Sequence, residues 1–396
     1  MSMEAFESWL ASRKDERGWF WFIKRLSAND TLANKSHQAG PYLPKDVAFS
    51  LFPSVNRPGD KNPDTNCSVI IDSHSCPAID TRIVWYNSET RNETRITRWG
   101  GSSSPVLDPD STGSIVVMAF SQEVGRDADG CHVWLCSNSD ETVLTSLIGD
   151  IEPGIPRFLG LGFVEARSAR TLPSETPCRL KPEQMPDGWL LRFPPREEIA
   201  DQSVKMRPLP GAVADKRLIT RLACEYEIFQ SVEEHFVLPR ILEGFKSIES
   251  FLQFSSSVAN RRKNRAGYSF ELQLARIFGE EGLSFSHGAV SEGAKRPDFL
   301  FPSAESYRRG DERVWMLAAK TTCKDRWRQI LNEAERIPIK YLATLQDGVS
   351  RNQYNEMREA GVRLVVPSAL HKRFPKEIRG ELINLRSFIR LVSSGV

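Results

Sequence analysis

The sequence has no long hydrophobic run and almost no net charge. No apolar stretch approaches the roughly 20 residues that a membrane-spanning helix needs, and no secretory signal opens the chain. We therefore expect a cytoplasmic protein without a membrane partner. The formal net charge is +2, so no overall positive field indicates a nucleic-acid partner. Basic residues cluster only locally, at residues 261–265 and 324–328, and such runs are usually solvated faces.

The cysteines are scattered rather than paired. Seven are present, an odd number, and no Cys-x-x-Cys spacing occurs. We therefore expect no disulfide framework and a reducing compartment. Cys67, His74 and Cys76 are close enough to begin a zinc site, but no matching second pair follows them.

The length and the change of pattern along the chain predict two domains. A chain of 396 residues exceeds the usual size of one domain, and its hydrophobic fraction of 40% is ordinary for a globular protein. The first part contains β-branched and aromatic runs separated by Asn, Asp, Gly and Pro. These runs are at 19–26, 69–71, 82–86, 115–120 and 132–135. We therefore predict a mostly β, barrel-like domain over residues 1–175.

The remainder of the chain predicts a linker and an α/β domain. Prolines and charges are dense from 176 to 212, which is typical of a linker. From 213 to 396, helical periodicity gives way to alternating strands and helices, which indicates a sheet with flanking helices. The predicted strands are 299–301, 315–320, 341–345 and 362–366, and the predicted helices are 250–258, 266–278, 324–336, 351–360 and 376–391.

Two carboxylates and a lysine follow the strand patterns of this second domain. Asp298 opens one apolar run, Lys320 ends the next, and Glu333 comes thirteen residues after Lys320. Two carboxylates can hold Mg²⁺, while a lysine can orient the attacking water or neutralise charge on a phosphate. The pattern therefore indicates a metal-dependent phosphodiesterase. The alternative is a capping aspartate and a solvated lysine, because Pro-Asp pairs are common.

This set resembles the active site of the PD-(D/E)-x-K nuclease superfamily, with one departure. The second carboxylate of that superfamily usually lies two residues before the lysine, where this chain has Ala318. In one branch the acid lies on the following helix, and Glu333 fits that variant. Asp325 could cap such a helix and return Glu333 toward Lys320.

A second candidate surface lies in the first domain. Arg91, Glu93 and Arg95 share one side of a predicted strand at period two. Arginine can bind guanine through two hydrogen bonds, and glutamate can accept one from cytosine. The alternative is a solvated edge strand with ion pairs, and the spacing favours neither interpretation.

Longer runs of sequence resemble the EcoRII family of restriction endonucleases. The resemblance rests on residues 23–30, 37–38, 90–93, 95–100, 257–267, 297–304 and 320–334. It implies two domains, an N-terminal mostly β pseudobarrel that binds DNA and a C-terminal α/β restriction-endonuclease-like domain. It also implies a homodimer that uses Mg²⁺ and no nucleotide cofactor to cleave double-stranded DNA at CCWGG, where W is A or T.

The resemblance also implies regulation. The N-terminal domain would bind a further copy of the site as an effector and would shield the catalytic cleft in the free protein. A DNA-binding regulator of the same fold that does not cut is the alternative. The presence of all four catalytic groups favours the enzyme over this alternative.

The resemblance assigns roles to individual residues. The catalytic positions are Asp298, Lys320, Glu333 and Glu271, of which Asp298 and Glu333 would bind the metal. The positions that read DNA in the catalytic domain are Lys324, Asp325 and Arg326, with Tyr226 and Asn260 implicated in holding a flipped base. The effector positions are Lys24, His37, Tyr42, Arg91, Glu93 and Arg95.

Some positions depart from the family pattern. Leu222 replaces an arginine near Tyr226, although Arg221 is adjacent. Glu89 and Thr94 stand at positions that are basic in the family. Two fewer cations predict weaker effector binding with a smaller salt dependence. Tyr307, a candidate in such sites, is interpreted as structural.

Overall fold

The computed structural model describes residues 3–14, 18–35, 39–88, 91–123, 125–159 and 177–394. Within these ranges the strands form two sheets, one in each half of the chain. None of the helices in these ranges combines the length and the apolar character that crossing a bilayer requires.

The first half is a curled, barrel-like sheet, as predicted. Its described strands are β1 Trp19–Arg25, β2 Tyr42–Leu43, β3 Asp64–Ile71, β4 Ile79–Tyr86, β5 Glu93–Thr97, β6 Ile115–Ser121, β7 Gly130–Leu135 and β8 Arg157–Leu159, in the order β2-β5-β4-β3-β7-β6-β1-β8. Only the β3–β7 pairing among them is parallel. The five predicted strands fall within β1, β3, β4, β6 and β7.

Both faces of this sheet are covered. Alternation along β1 places Phe20 and Phe22 in the barrel interior and Ile23 on the other face. Helices α1 Met3–Lys14, α2 Lys45–Leu51 and α3 Asn138–Ile148 belong to this domain. Phe6 and Trp9 of α1 pack with Ile23 on the outer face, so the first domain has two hydrophobic layers.

The second half is a five-stranded mixed sheet flanked by helices. Its described elements are α4 Arg196–Met206, α5 Ala214–Glu243, α6 Ile248–Glu280, β9 Ser286–His287, β10 Phe299–Phe301, α7 Ala304–Arg309, β11 Trp315–Ala319, β12 Lys340–Ala343, α8 Arg351–Glu359, β13 Val362–Val365 and α9 Leu385–Ser394. The strand order is β13-β12-β11-β10-β9. Strands β11, β12 and β13 are parallel, whereas β9 and β10 run antiparallel to their neighbours.

The strands of this second sheet have a hydrophobic core on each face. On β11, Met316 and Ala318 enter one core, whereas Leu317 and Ala319 enter the other. A sheet that is covered on both faces explains why these strands read as continuous apolar runs. The predicted fold class, a β pseudobarrel followed by an α/β nuclease-like domain, is confirmed.

Four predicted helices differ from those observed. The helices expected at 250–258 and 266–278 form one helix, α6, because the basic segment between them contains no proline and is held by ion pairs. The helix expected at 324–336 is a 3-10 helix, Arg326–Asn332, and the Asp325 side chain does not cap it. The helix expected at 376–391 begins at Leu385.

The segment interpreted as a linker packs against the second domain where it is described. Trp189 and Ile199 share a hydrophobic core with Phe229 of α5. A disulfide joins Cys178 to Cys224, so the expectation of no disulfide is wrong. The sequence did not indicate this pairing, because the two cysteines are 46 residues apart and come together only when the predicted linker segment packs on α5.

A buried aspartate ties the start of α5 to the start of α9, and this contact generates a stability prediction. Asp215 is 4% exposed and accepts hydrogen bonds from the backbone N–H groups of Ser368, Leu385 and Arg386 at 2.9, 3.1 and 2.9 Å. We expect Asp215→Ala to lower the free energy of unfolding by about 2–4 kcal/mol, because three backbone N–H groups lose their buried acceptor. Urea denaturation measures this loss.

Asp201→Ala is the matched control. Its carboxylate is 50% exposed and pairs with Arg276, so its loss should change the free energy of unfolding by less than about 0.5 kcal/mol. Equal stability of the two variants would contradict the role assigned to Asp215.

Candidate active site

The pairing of β10 with β11 brings a carboxylate and a lysine together. Asp298 immediately precedes β10 and Lys320 immediately follows β11. Lys320 Nζ donates to Asp298 Oδ2 at 2.9 Å, and the Ala319 backbone N–H donates to the same oxygen at 2.7 Å. Both side chains are largely buried, with exposures of 20% for Lys320 and 13% for Asp298. The two residues therefore form one preorganised charged pair where β10 begins and β11 ends.

Glu333 approaches this pair from the turn after the 3-10 helix. Burial raises the pKa of the Glu333 carboxyl to about 7 against the opposing charge of Lys320, and the charge of Asp298 adds to the increase. Oε2 of Glu333 is buried and has no hydrogen-bond partner. A carboxylate oxygen in this state is costly to ionise unless a cation arrives.

The donor set fits a divalent cation with oxygen ligands. Asp298 and Glu333 provide two carboxylates, and the unpartnered oxygen of Glu333 is available as a ligand. No group of three or more His, Cys, Asp or Glu side chains able to hold a metal occurs in the described part of the chain. Two carboxylates suit Mg²⁺, which usually keeps several waters and shares substrate phosphate oxygens, better than they suit zinc.

Glu271 lies on α6 beside this site and contacts a histidine. His287 Nε2 is 3.3 Å from Glu271 Oε2. The imidazole ring stacks on Phe299, with ring centroids 4.8 Å apart, because His287 and Phe299 are paired across β9 and β10. Among the described residues, the Glu271 carboxylate thus contacts His287 and not the Asp298–Lys320 pair. The two-residue strand β9 is too short for the sequence to have indicated His287.

The three proposed base readers differ in accessibility. Lys324 Nζ contacts the Ser114 hydroxyl of the first domain, and its backbone N–H donates to Gln346 Oε1 at 3.1 Å. Asp325 contacts Arg328 at 3.4 Å. Arg326 is exposed. The first domain therefore covers Lys324 and leaves Arg326 accessible.

Tyr226 is also covered by the first domain, whereas Asn260 is exposed. Arg157 Nη1 donates to the Tyr226 hydroxyl at 3.2 Å. The Arg265 guanidinium lies 4.5 Å from the Tyr226 ring centroid and forms an ion pair with Glu152 of the first domain. Side chains of both domains therefore surround the Tyr226 ring.

No free guanidinium is available at position 222 or at the adjacent Arg221. Leu222 belongs to the core of the second domain. Arg221 is 1% exposed and binds Glu280 at 2.7 Å together with the backbone carbonyls of Arg207 and Pro208. The adjacent arginine therefore does not replace the one that is missing at 222.

The effector positions that are described share one region of the barrel. Tyr42 and Arg95 are cross-strand neighbours on β2 and β5, and Arg95 pairs with Glu93 at 3.2 Å. Lys24 lies on β1, and the Arg91 guanidinium lies 5.8 Å from the Tyr86 ring centroid. His37 lies outside the described residues.

Asp30, which the sequence did not indicate, connects this region. It accepts from Lys24 Nζ at 2.7 Å and from the Tyr42 backbone N–H at 3.0 Å. Burial acts to raise the pKa of Asp30, but the charge and hydrogen bond of Lys24, the charge of Arg95 and the Ser27 N–H together outweigh it and lower this pKa. Asp30 is therefore an ionised, buried acceptor behind the effector positions.

Of Glu89 and Thr94, the two residues that stand at positions described above as basic in the family, Thr94 faces inward. Thr94 is fully buried, and its hydroxyl donates to the Leu43 carbonyl on the face of β5 opposite Glu93 and Arg95. A threonine here therefore removes no charge from the exposed face of β5. Glu89 lies outside the described residues.

Tyr307 occupies a structural position near the Glu333 turn. It is 3% exposed, its hydroxyl donates to Glu292 at 2.6 Å, and the Arg336 guanidinium lies 4.4 Å from its ring centroid. These contacts are what the structural interpretation of Tyr307 predicts.

Comparison with known proteins gives a match for each half of the chain. The family model Restriction endonuclease EcoRII, N-terminal matches residues 15–160, and the model EcoRII C terminal matches residues 229–389. The chain is 44% identical over 404 residues to the type II restriction enzyme EcoRII of Escherichia coli, covering 98% of this chain and 97% of that enzyme. It is 27% identical over 139 residues to the type II restriction enzyme SsoII of Shigella sonnei, covering 33% of this chain and 45% of that enzyme.

Two solved structures are similar to part of the chain. A metal-depleted complex of Ecl18kI with uncleaved, modified DNA aligns with a TM-score of 0.45 and 18% identity, covering 55% of this chain and 85% of that one. A complex of the restriction endonuclease PspGI with substrate DNA aligns with a TM-score of 0.43 and 16% identity, covering 52% and 95%.

The raised pKa of Glu333 generates a pH prediction. The folded protein holds this proton more tightly than the unfolded chain, whose glutamates titrate near 4.5. The Glu333 contribution to stability is therefore present below about pH 4.5 and is lost as pH rises through about 7. Without metal at pH 8, Glu333→Gln should unfold with a free energy about 1–3 kcal/mol higher than the unmodified protein.

Thermal melting in EDTA at pH 4.5 and pH 8 measures this effect. The variant should melt a few degrees higher at pH 8 and at the same temperature at pH 4.5. Glu335→Gln, at a carboxylate that is 62% exposed, is the control and should show no such pH dependence. Identical melting of Glu333→Gln and the unmodified protein at pH 8 would contradict the burial argument.

Proposed function

Because this chain belongs to the EcoRII family of type II restriction endonucleases, we propose that it hydrolyses double-stranded DNA at CCWGG with Mg²⁺. Family membership makes it a sequence-specific restriction endonuclease, and the site sequence and the metal are the proposed refinements. The observation that carries the proposal is the convergence of Asp298, Lys320 and the unpartnered Glu333 at one sheet edge.

The side chains divide the chemistry among them. Asp298 and Glu333 would hold the cation, which when bound polarises the scissile phosphate and makes a coordinated water more acidic. Lys320 donates to Asp298 in the free protein and lies where it can turn its ammonium toward a phosphate oxygen. Its charge would then stabilise the negative charge that develops as water attacks.

Base recognition would come from the segment that follows Lys320. Lys324 and Arg326 suit guanine, and Asp325 suits the cytosine amino group. A nearly palindromic site calls for two copies of this segment related by a two-fold axis, so we propose a homodimer. Tyr226 and Asn260 are proposed to contact the central base pair.

We further propose that the first domain inhibits the nuclease in the free protein. Support comes from the interdomain contacts, because Ser114 covers Lys324, and Glu152 pairs with the buried Arg265. Asp110 accepts hydrogen bonds from Ser350 at 2.6 Å on the same side. A DNA duplex cannot contact Lys324 in this arrangement until the two domains separate.

The effector positions are connected to this interface through Asp30. The loop that Asp30 holds donates a hydrogen bond from the Ala28 backbone N–H to the Asp347 carbonyl, at 2.8 Å. DNA that binds Lys24 and Arg95 would compete with Asp30 for these cations and would loosen that loop. Effector DNA would then activate the nuclease by favouring the arrangement in which the domains are separated. This shift can be no larger than the difference between the affinities of the DNA for the two arrangements.

A regulator that binds the same site without cutting is the alternative. It would need the base readers but would gain nothing from Glu271, Asp298, Lys320 and Glu333. The raised pKa of Glu333 also favours a role that involves metal, because an unpartnered buried carboxylate only destabilises a protein that merely binds DNA.

Removing the charged pair tests the catalytic proposal. Lys320→Ala and Asp298→Ala should each reduce cleavage of a plasmid with several CCWGG sites by about 10³-fold or more, because each removes a group that stabilises the transition state. Binding to a CCWGG duplex should stay within about threefold, because the base readers remain. Nicking assays and gel shifts provide the two measurements.

Lys35→Ala, at an exposed pair with Glu377 that is distant in sequence from the catalytic residues, is the control. Substantial cutting by Lys320→Ala would exclude the assigned chemistry. A lack of cutting by the unmodified protein with Mg²⁺ and several sites would favour the regulator.

Breaking the buried interdomain ion pair tests the inhibition proposal. Glu152→Gln leaves the buried Arg265 charge without its carboxylate, which should weaken the interface by about 3–5 kcal/mol. Cleavage of a one-site plasmid without added duplex should therefore become at least about tenfold faster, and stimulation by added CCWGG duplex should shrink.

Lys35→Ala is again the matched control, because the Lys35–Glu377 pair also joins the two domains but is exposed, with 75% exposure at Lys35. Exposed pairs contribute little, so its rate should stay within about twofold of the unmodified protein. If Glu152→Gln responds to added duplex as the unmodified protein does, the first domain does not inhibit through this contact.

A further inference from the structure

The carboxylate of Glu333 is presented by a turn that needs support from other residues. Glu333 ends the 3-10 helix in an extended conformation, and Ala334 follows with φ of +47°. Residues with a Cβ rarely adopt this left-handed conformation, and they persist in it only where the surroundings hold them. The usual position for the second carboxylate, on β11, is the fully buried Ala318, so this turn is what delivers the acid.

Lys340 holds this turn from behind. It is the first residue of β12 and is 6% exposed. Its Nζ donates to the carbonyl of Ala334 at 3.1 Å and to the carbonyl of Ile337 at 2.8 Å. Lys340 therefore bridges the two ends of the segment that begins immediately after Glu333.

A packing role alone does not account for a lysine at this position. Among the described residues Lys340 forms no salt bridge, and its Nζ hydrogen bonds go to backbone carbonyls, while the charges of Glu292, Glu333 and Glu335 lie near enough to favour its charged form. A buried cation without a carboxylate partner is costly, and an apolar residue of similar length would fill the same space without that cost. What an apolar residue cannot do is bind two carbonyls and hold the turn closed.

The other side of the turn is held by Glu292. Its Oε1 accepts from the Glu335 backbone N–H at 2.7 Å, and its Oε2 accepts from the Tyr307 hydroxyl at 2.6 Å. Glu335 also forms an ion pair with Lys295 in an exposed position. The Arg336 backbone N–H also donates to the Tyr307 hydroxyl, at 3.4 Å, so the residues after Glu333 are held at two backbone carbonyls and two backbone N–H groups, while the Glu333 carboxylate has a buried oxygen without a partner.

We propose that Lys340 is a positioning residue that fixes the Glu333 carboxylate for cation binding. This inference rests on the proposed nuclease function, in which Glu333 and Asp298 hold the metal. Lys340 forms no hydrogen bond with either carboxylate, although its charge lies close enough to interact with that of Glu333, so it holds this carboxylate in place through the backbone of the turn. Its removal should weaken binding of the cation without affecting the recognition of DNA.

The test compares Lys340→Met with Lys340→Arg in the full chain. Mn²⁺ alone is added to the free protein, and its binding is followed by electron paramagnetic resonance. Lys340→Met should raise the dissociation constant about tenfold, and the half-saturating Mg²⁺ concentration for cleavage should rise in parallel. Lys340→Arg keeps the charge and the donors, so it should recover part of the loss. Binding of a CCWGG duplex without metal should be unchanged in both.

Lys295→Met is the matched control, since Lys295 contacts the same turn through an exposed ion pair. It should bind Mn²⁺ as the unmodified protein does. A folded Lys340→Met variant with unchanged Mn²⁺ binding would overturn the proposal. If Lys340→Met does not fold, Lys340→Arg tests the proposal instead. Because the guanidinium places its donors differently, this variant should bind Mn²⁺ two- to fivefold more weakly. An unchanged Mn²⁺ affinity would overturn the proposal.

Glu333→Gln, measured alongside, separates this inference from the proposed function. If Glu333→Gln binds Mn²⁺ and cuts DNA normally, the assignment of the metal site itself is wrong. If Glu333→Gln loses both properties while Lys340→Met keeps them, only the role of Lys340 is wrong.

Discussion

The contact between Lys320 and Asp298 is the constraint around which the second domain is arranged. An ammonium and a carboxylate 2.9 Å apart, both mostly buried, are stable only if the surrounding backbone and other charges complete their hydrogen bonds. The antiparallel pairing of β10 and β11 supplies the Ala319 N–H as a further donor. Two apolar cores hold the strands rigidly, so the pair is fixed before any substrate arrives.

In the proposed site the second carboxylate, Glu333, comes from a turn rather than from the strand position two residues before Lys320. A strand position with a small buried residue, Ala318, cannot provide an acid, and Glu333 provides it from a turn instead. A turn is less rigid than a strand, and the buried Lys340 and the carboxylate of Glu292 compensate by holding its backbone. In the proposed site, a carboxylate presented by a turn therefore depends on supporting residues that take no part in the proposed chemistry.

The interface between the domains uses polar groups that we propose to contact DNA. Lys324 contacts Ser114, Tyr226 contacts Arg157, and Arg265 pairs with Glu152. A surface that binds a polyanion is rich in donors, and these need acceptors when no DNA is present. A covering domain gives them partners, so under the proposed function an interface of this kind would both stabilise the free protein and compete with DNA.

The sequence by itself determined the two-domain fold, most strands of both sheets and the grouping of Asp298, Lys320 and Glu333, because these follow from local periodicity and spacing. Only the tertiary structure decided which distant groups meet. The Cys178–Cys224 bond, the buried acceptor Asp30 and the supporting lysine at 340 depend on packing between segments far apart in the chain. The 3-10 helix before Glu333 also replaced an expected α-helix. Local propensity specifies the elements, whereas burial and charge pairing between elements specify their contacts, and a single sequence does not display those contacts.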